Sequence, residues 1–218
     1  MSPARVRDRS APALTFGPLT ARRFGDLERL FGPNGACAGC WCMWWKTTRA
    51  QYRAGRGEGN RRALARLVRS GAVPGLLAYA GAEPVGWCAV EPRRAYPRLA
   101  RSRLLAPVDD AEVWSVTCFF VARPFRRQGV TRALLEAAAA HARRRGARTL
   151  EGYPVDAAAK VADASVYTGL ATAFRAEGFE EVARRSPRRP IVRLALRPAR
   201  AEGPRKGRRD SSRARRIT

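Results

Sequence analysis

Between Val113 and Val121 the β-branched and aromatic residues Val113, Trp114, Val116, Phe119, Phe120 and Val121 predict a buried β-strand. A basic turn around Arg126, Arg127 and Gln128 follows, and from Gly129 the chain reads as an Ala/Leu-rich helix reaching Gly146. Upstream, Ala13 to Phe16 makes a short strand. Thr20 then caps a helix whose Phe24, Leu27, Leu30 and Phe31 recur at helical spacing, until Gly32-Pro33-Asn34-Gly35 stops it. Residues 47 to 54 and 60 to 70 predict two further helices, the second capped by Asn60 and ended by Gly71. The apolar runs Gly75 to Ala80 and Val85 to Val90, parted by Gly81-Ala-Glu-Pro84, predict a hairpin. Pro92 to Val108 has no clear period and is expected as a loop-rich insert. After the central helix, Ala147 to Tyr153 predicts a strand in the parallel position of a βαβ unit. Asp163 is placed to cap a helix from Ala164 to Glu177, and strands follow around Glu181 to Arg184 and Ile191 to Leu196. No internal repeat is present.

Length and charge refine this picture. The 218 residues suit one domain, expected over 13–197, with a basic leader (1–12) and a basic tail (198–218), both expected to be disordered. The net charge of +25 should draw polyanions, yet all but three of the 43 basic residues are Arg, a skew that fits a GC-rich coding bias more than a nucleic-acid-binding role. The beginning of the chain has no apolar run of signal-peptide length, and no segment approaches a membrane span, so a cytoplasmic protein with five reduced thiols is expected.

The strand–turn–helix unit carries the first chemistry. Such a turn leaves the first N–H groups of its helix unpaired and converging on one spot, where the helix dipole and two arginines also favour an anion. The run Val121-Ala-Arg-Pro-Phe-Arg126-Arg-Gln-Gly129-Val-Thr131 resembles the acetyl-CoA signature of the GNAT superfamily of N-acetyltransferases, with Thr131 standing where Gly or Ala is usual. That resemblance implies an α/β (α+β) fold: a mixed, mostly antiparallel central sheet with a parallel pair forming a V-shaped acetyl-CoA cleft, and helices on both faces. It implies that the amides of Arg126, Arg127, Gln128, Gly129, Val130, Thr131 and Arg132 hold the CoA pyrophosphate, while Phe119, Phe120 and Val121 bond the pantetheine arm. Acetyl-CoA is then a co-substrate. The expected reaction is acetyl transfer to a primary amine, by direct attack in a ternary complex. The acceptor is expected to be a small molecule, with no specific nucleic acid or membrane partner, and the protein a monomer or homodimer.

Candidates for proton transfer follow from the same resemblance. Glu112, before the fourth strand, is the candidate base; Asp109 and Asp110 are candidates for attracting a cationic amine. The acid is less direct, because the helix position where the family carries a Tyr is Phe174 here; Tyr167 is the first alternative and Tyr153 the second. His141 and Cys118 read as core packing. The run Cys37-Ala-Gly-Cys40-Trp41-Cys42-Met43-Trp44-Trp45-Lys46 admits three readings: a metal site, a buried loop or an acceptor-pocket wall. Structural zinc wants four ligands and the run offers three, so no metal is expected. The resemblance implies that the segment between the first two strands lines the acceptor pocket, which makes Trp41, Trp44 and Trp45 candidates for its apolar side. Two readings from other classes remain: a noncatalytic acyl-CoA-binding or regulatory module, and an Arg-rich nucleic-acid-binding protein.

Overall fold

The computed structural model describes residues 13–157 and 165–196. The expected leader and tail, and Asp163, lie outside the described residues. Seven strands form one sheet: β1 (Leu14–Pro18), β2 (Gly75–Ala80), β3 (Glu83–Pro92), β4 (Trp114–Val121), β5 (Thr149–Gly152), β6 (Glu180–Arg184) and β7 (Pro190–Ala195), in the order β1-β2-β3-β4-β5-β7-β6. Only β4 and β5 run parallel; the other neighbours are antiparallel. The helices are α1 (Phe24–Phe31), α2 (Arg49–Ala54), α3 (Glu58–Arg69), the single turn α4 (Pro97–Ala100), α5 (Val130–Arg144) and α6 (Ala171–Ala176).

Strand alternation divides the core between the two faces of the sheet. Leu76, Ala78, Cys88 and Val90 point toward Leu134, Leu135, Ala138 and Ala142 of α5 and Phe174 of α6. Leu77, Trp87 and Ala89 point the other way, toward Leu27 and Phe31 of α1 and Leu64 and Val68 of α3. Gly86 lets α5 settle this closely, because a Cβ there would stand 3.0 Å from Val130 Cγ1 and 3.1 Å from Leu134 Cδ1. The helix that carries the anion turn is thus seated directly on β3.

Several boundaries differ from the sequence expectation for physical reasons. Thr20 is extended and precedes a short 3-10 turn, with no side-chain cap bond. Helix α3 starts before Asn60, at Glu58 after Gly57; the Asn60 side chain is buried and donates to the Gly39 carbonyl, tying the helix to the early loop. The helix expected over 164–177 shrinks to Ala171–Ala176, because Gly169 takes φ 88° and Val155 pairs with Leu170 as an isolated parallel bridge. The insert 92–108 is packed, not loose: Tyr96, Leu99 and Leu105 form a third apolar cluster with Trp45, Tyr153 and Ile191.

His141 lies on the buried face of α5, 5% exposed, edge-on to Trp114 with ring centroids 5.8 Å apart. Its Nε2 has no partner among the described residues. Burial, reinforced by Arg145 and Arg144, pushes its pKa down from 6.5 to about 4. The unfolded chain therefore takes up this proton at a higher pH than the folded one, so the stability is whole above pH 6.5 and is lost as pH falls toward 4. His141→Leu is expected to flatten the fall in melting temperature across that window, measured by circular dichroism at a series of pH values.

Candidate functional site

Pairing between β4 and β5 covers only Trp114–Val116 against Leu150–Gly152. The register of β3 against β4 shifts at this point, Ala89 facing Cys118 and Val90 facing Val116, which leaves Thr117 as an extra, bulged residue. Beyond it β4 continues alone on its β5 side, and the gap opens into a cavity of about 930 Å³. That volume is of the size that takes a cofactor-scale ligand.

One end of the cavity is the turn into α5. Gly129 is the N-cap with φ 79°, and Arg127 before it also lies in the left-handed region at φ 61°. The first bond into the helix runs from Ala133 N–H to the Gly129 carbonyl, so the amides of Val130, Thr131 and Arg132 have no intrahelical acceptor. Arg126, Arg127, Gly129, Val130, Thr131 and Arg132 all line the cavity, and nothing lies within 4 Å of a Cβ added at Gly129. This is a converging set of donors at the positive end of a fifteen-residue helix. Gln128 does not line it; its side chain donates to the Pro124 carbonyl and braces the turn.

The floor is β4. Phe119, Phe120 and Val121 line the cavity, and the Phe119 N–H donates to the Tyr167 carbonyl at 2.6 Å. By strand alternation Val121 presents its N–H on the same side as Phe119. The carbonyl of Val121 accepts from Arg126 Nε at 3.0 Å, so the end of β4 and the turn are clamped together.

The other end belongs to the early loop. Ala36, Ala38, Trp41 and Cys42 all have positive φ, a concentration of strained non-glycine residues that the surrounding packing must hold in place. Trp44, Trp45 and Tyr52 face the cavity together with Cys40, Cys118 and Tyr167. Trp87 Nε1 donates to Cys42 Sγ at 3.1 Å, and Cys42 Sγ lies 3.4 Å from Cys118 Sγ. Among the described residues no group of three or more His, Cys, Asp or Glu side chains is arranged to hold a metal ion. Tyr167 is half-buried, and burial pushes its hydroxyl pKa up to about 12.

Several residues that the sequence nominated stand elsewhere. Glu112 lies before the opposite end of β4, 94% exposed and 3.7 Å from Arg94. Phe119 is seven positions further along this extended stretch, roughly 20 Å at the ordinary rise. Asp109 is bound by Arg193, which holds its carboxyl below the usual range, and Asp110 is exposed outside the cavity. Tyr153 is fully buried, bonded to Ser115, Glu151 and Arg93, with its hydroxyl pKa pushed up by burial. Trp41 packs against Phe31 in the core, under Gly35, where any Cβ would collide with its indole. Phe174 is fully buried between Phe119 and Phe179. Conversely, sequence reading passed over Arg98, which stacks on Trp44 at 3.8 Å, and the Cys42–Cys118 contact.

The family model described as acetyltransferase (GNAT) family matches residues 41–162, more than half of the chain. No curated protein matches the sequence. Among solved structures, an N-acetyltransferase from Staphylococcus aureus Mu50 superposes with a TM-score of 0.51 at 13% identity, covering 85% of this chain and 99% of its own. A GNAT-family acetyltransferase from Listeria monocytogenes gives 0.51 at 9% identity, with coverage of 84% and 95%. The yncA protein of Salmonella typhimurium, solved with its cofactor acetyl-CoA, gives 0.50 at 14% identity, with coverage of 88% and 99%. At these identities the likeness is one of fold.

Proposed function

The chain belongs to the GNAT acetyltransferase family, and from that premise we propose that it transfers an acetyl group from acetyl-CoA to a primary amine, by direct attack in a ternary complex within the cleft beside β4. The observation that carries this reading is the continuity of one cavity. A helix N-terminus with unpaired amides forms one end, and a wall of aromatic rings and thiols forms the other.

The amides of Val130, Thr131 and Arg132, with Arg126 and Arg127 beside them, hold the pyrophosphate of the cofactor. The pantetheine arm runs along β4. Because Phe119 already donates to Tyr167, the Val121 amide is the main-chain donor left for it. The thioester then lies near Cys118 and Tyr167, and the amine enters from the side of Trp44 and Trp45. The lone pair of the amine attacks the thioester carbonyl, the C–S bond breaks, and the CoA thiolate needs a proton while the new amide nitrogen loses one. With its pKa raised to about 12, the Tyr167 hydroxyl keeps its proton at neutral pH and donates toward the departing sulfur. Asp156, the carboxylate in the cavity wall among the described residues, accepts from both Arg175 and Arg184, which hold its pKa down. Such a carboxylate is a poor base, so the amine gives its proton to water. Holding both substrates side by side supplies much of the acceleration.

Tyr167→Phe is expected to lower kcat on the order of 10²-fold with the KM for acetyl-CoA unchanged, read by CoA thiol release. A noncatalytic acyl-CoA-binding module is favoured by a different observation: Phe174 fills the helix position of the family's acid. It predicts saturable acetyl-CoA binding with no thiol released in the presence of any amine.

A further inference from the structure

Cys37, Cys40, Cys42 and Cys118 all line the cavity, and all are free thiols. We infer that Cys42 and Cys118 are an oxidative modification site: a peroxide converts the pair to a disulfide that ties the early loop to β4 and closes the aromatic end of the cleft. The bond is argued from geometry alone; only its effect on the acceptor rests on the acetyl-transfer reading. Cys42 Sγ lies 3.4 Å from Cys118 Sγ, although the two residues are 76 positions apart. A disulfide needs about 2.0 Å between its sulfurs, so a shift of little more than an ångström closes the pair. Cys118 is held in register opposite Ala89 inside the sheet, whereas Cys42 belongs to the loop between α1 and α2. The loop is therefore the side that moves. Cys42 and the preceding Trp41 take φ 54° and 44°, left-handed positions kept in place by packing.

The two thiols have different parts in the reaction. Cys118 is half-buried and accepts the S–H of Cys42, while Cys42 is buried and also accepts from Trp87 Nε1. The bond to Cys118, together with burial, pushes the Cys42 thiol up and keeps it protonated. Cys118 therefore meets the oxidant first and Cys42 resolves the product. Cys118 Sγ attacks one peroxide oxygen: an S–O bond forms, the O–O bond breaks, and the departing hydroxide leaves as water with the Cys118 proton. Cys42 Sγ then attacks that sulfur: the S–S bond forms, the S–O bond breaks, and the Cys42 proton leaves with the oxygen as a second water. The two thiols lose two electrons and one peroxide is reduced. Cys40, the other half-buried thiol of the loop, donates instead to the Gly35 carbonyl at 3.6 Å, and Cys88 is buried in β3 away from the cavity. Trp44 and Trp45 follow Cys42 closely in the chain and line the cavity, so the bond draws them toward β4. The turn into α5 lies at the other end and keeps its amides.

The test treats the reduced full-length protein with hydrogen peroxide, blocks remaining thiols with N-ethylmaleimide and digests with chymotrypsin. Cleavage after Trp41, Trp87 and Trp114 leaves Cys42, Cys88 and Cys118 on separate peptides. Mass spectrometry should find Cys42 crosslinked to Cys118, with Cys88 recovered as its alkylated thiol. The oxidised protein should melt roughly 5 °C or more above the reduced one. That rise should be absent from Cys42→Ser and from Cys118→Ser, either of which decides the matter if the other fails to fold. Acetylation of phenethylamine, spermidine or L-lysine, whichever the reduced protein turns over, should slow at least tenfold on oxidation and recover with dithiothreitol. Affinity for desulfo-CoA, which has no thiol to exchange, should stay within about threefold. Recovery of both cysteines alkylated, or a disulfide confined to Cys37, Cys40 and Cys42, overturns the inference. So does undiminished turnover by protein that carries the Cys42–Cys118 bond. No acetylated amine from the reduced protein would count against the proposed function, and with it the effect on the acceptor, while the disulfide still stands or falls by peptide and melt.

Discussion

Gly129→Glu is expected to weaken CoA binding by more than about a hundredfold, roughly 2.7 kcal/mol or more, while the protein still melts cooperatively. Two effects combine in this substitution. The backbone at Gly129 sits at φ 79°, where a side chain costs about 1 kcal/mol. The new carboxylate projects into open space at the end of α5, since nothing stands within 4 Å of the added Cβ, and that is the space the proposed function assigns to the pyrophosphate. Gly129→Ala separates the two contributions. It carries the backbone strain without the charge, so it should lower the melting temperature about as much as Gly129→Glu does and weaken CoA only severalfold. Isothermal titration of both variants with CoA checks this. Unchanged affinity in Gly129→Glu would remove the phosphate cradle from the turn.

Glu151→Ala is expected to cost the fold about 3–5 kcal/mol, the range for removing one partner of a buried ion pair. Glu151 is 1% exposed and accepts from Arg93 Nη1 at 2.7 Å, Arg193 Nε at 2.8 Å and the Tyr153 hydroxyl at 2.6 Å. Arg93 begins the packed insert, Arg193 lies on β7 and Tyr153 follows β5, so this one carboxylate ties three separate parts of the sheet's far half together. Among the described residues, its loss leaves Arg93 with no acidic partner and Arg193 with Asp109 alone. Urea unfolding followed by tryptophan fluorescence reads the difference. A loss below about 1 kcal/mol would mean that water or Asp109 compensates the stranded guanidinium groups.

How much of this was legible before the structure depended on the range of the interaction. The β4–turn–α5 unit was legible because each of its signals is local: apolar strand residues, a glycine able to take positive φ, then helical spacing through Leu134, Leu135 and Ala138. The parallel pairing of β4 with β5 followed from the crossover helix between them. Glu112 shows the opposite case. The family resemblance nominated a carboxylate near the start of β4, but a strand has two ends, and here the cleft opens at the Phe119 end. The insert 92–108 carries no period because its three buried residues, Tyr96, Leu99 and Leu105, are dispersed over turns that only the packed cluster brings together. The helix expected over 164–177 illustrates a tertiary override: the backbone of Val155 captures Gly169 and Leu170 before the helix begins. The ion pairs of Glu151 with Arg93 and Arg193 and the Arg98–Trp44 contact join residues 42 to 58 positions apart, and no sequence pattern specifies such pairs. Trp41 was nominated with its neighbours by the aromatic composition of a segment that the resemblance puts at the acceptor pocket; the left-handed turn at Trp41 and Cys42 sends its ring into the core, whereas Trp44 and Trp45 reach the cavity.

Incubating the purified protein with acetyl-CoA and a panel of primary amines, and weighing the amine products by mass spectrometry while counting free CoA thiol, tests acetyl transfer most directly. The predicted result is an acetylated amine, 42 Da heavier, formed in a one-to-one ratio with released CoA, about 10²-fold more slowly in Tyr167→Phe. Saturable acetyl-CoA binding with no acetylated amine from any member of the panel would contradict it.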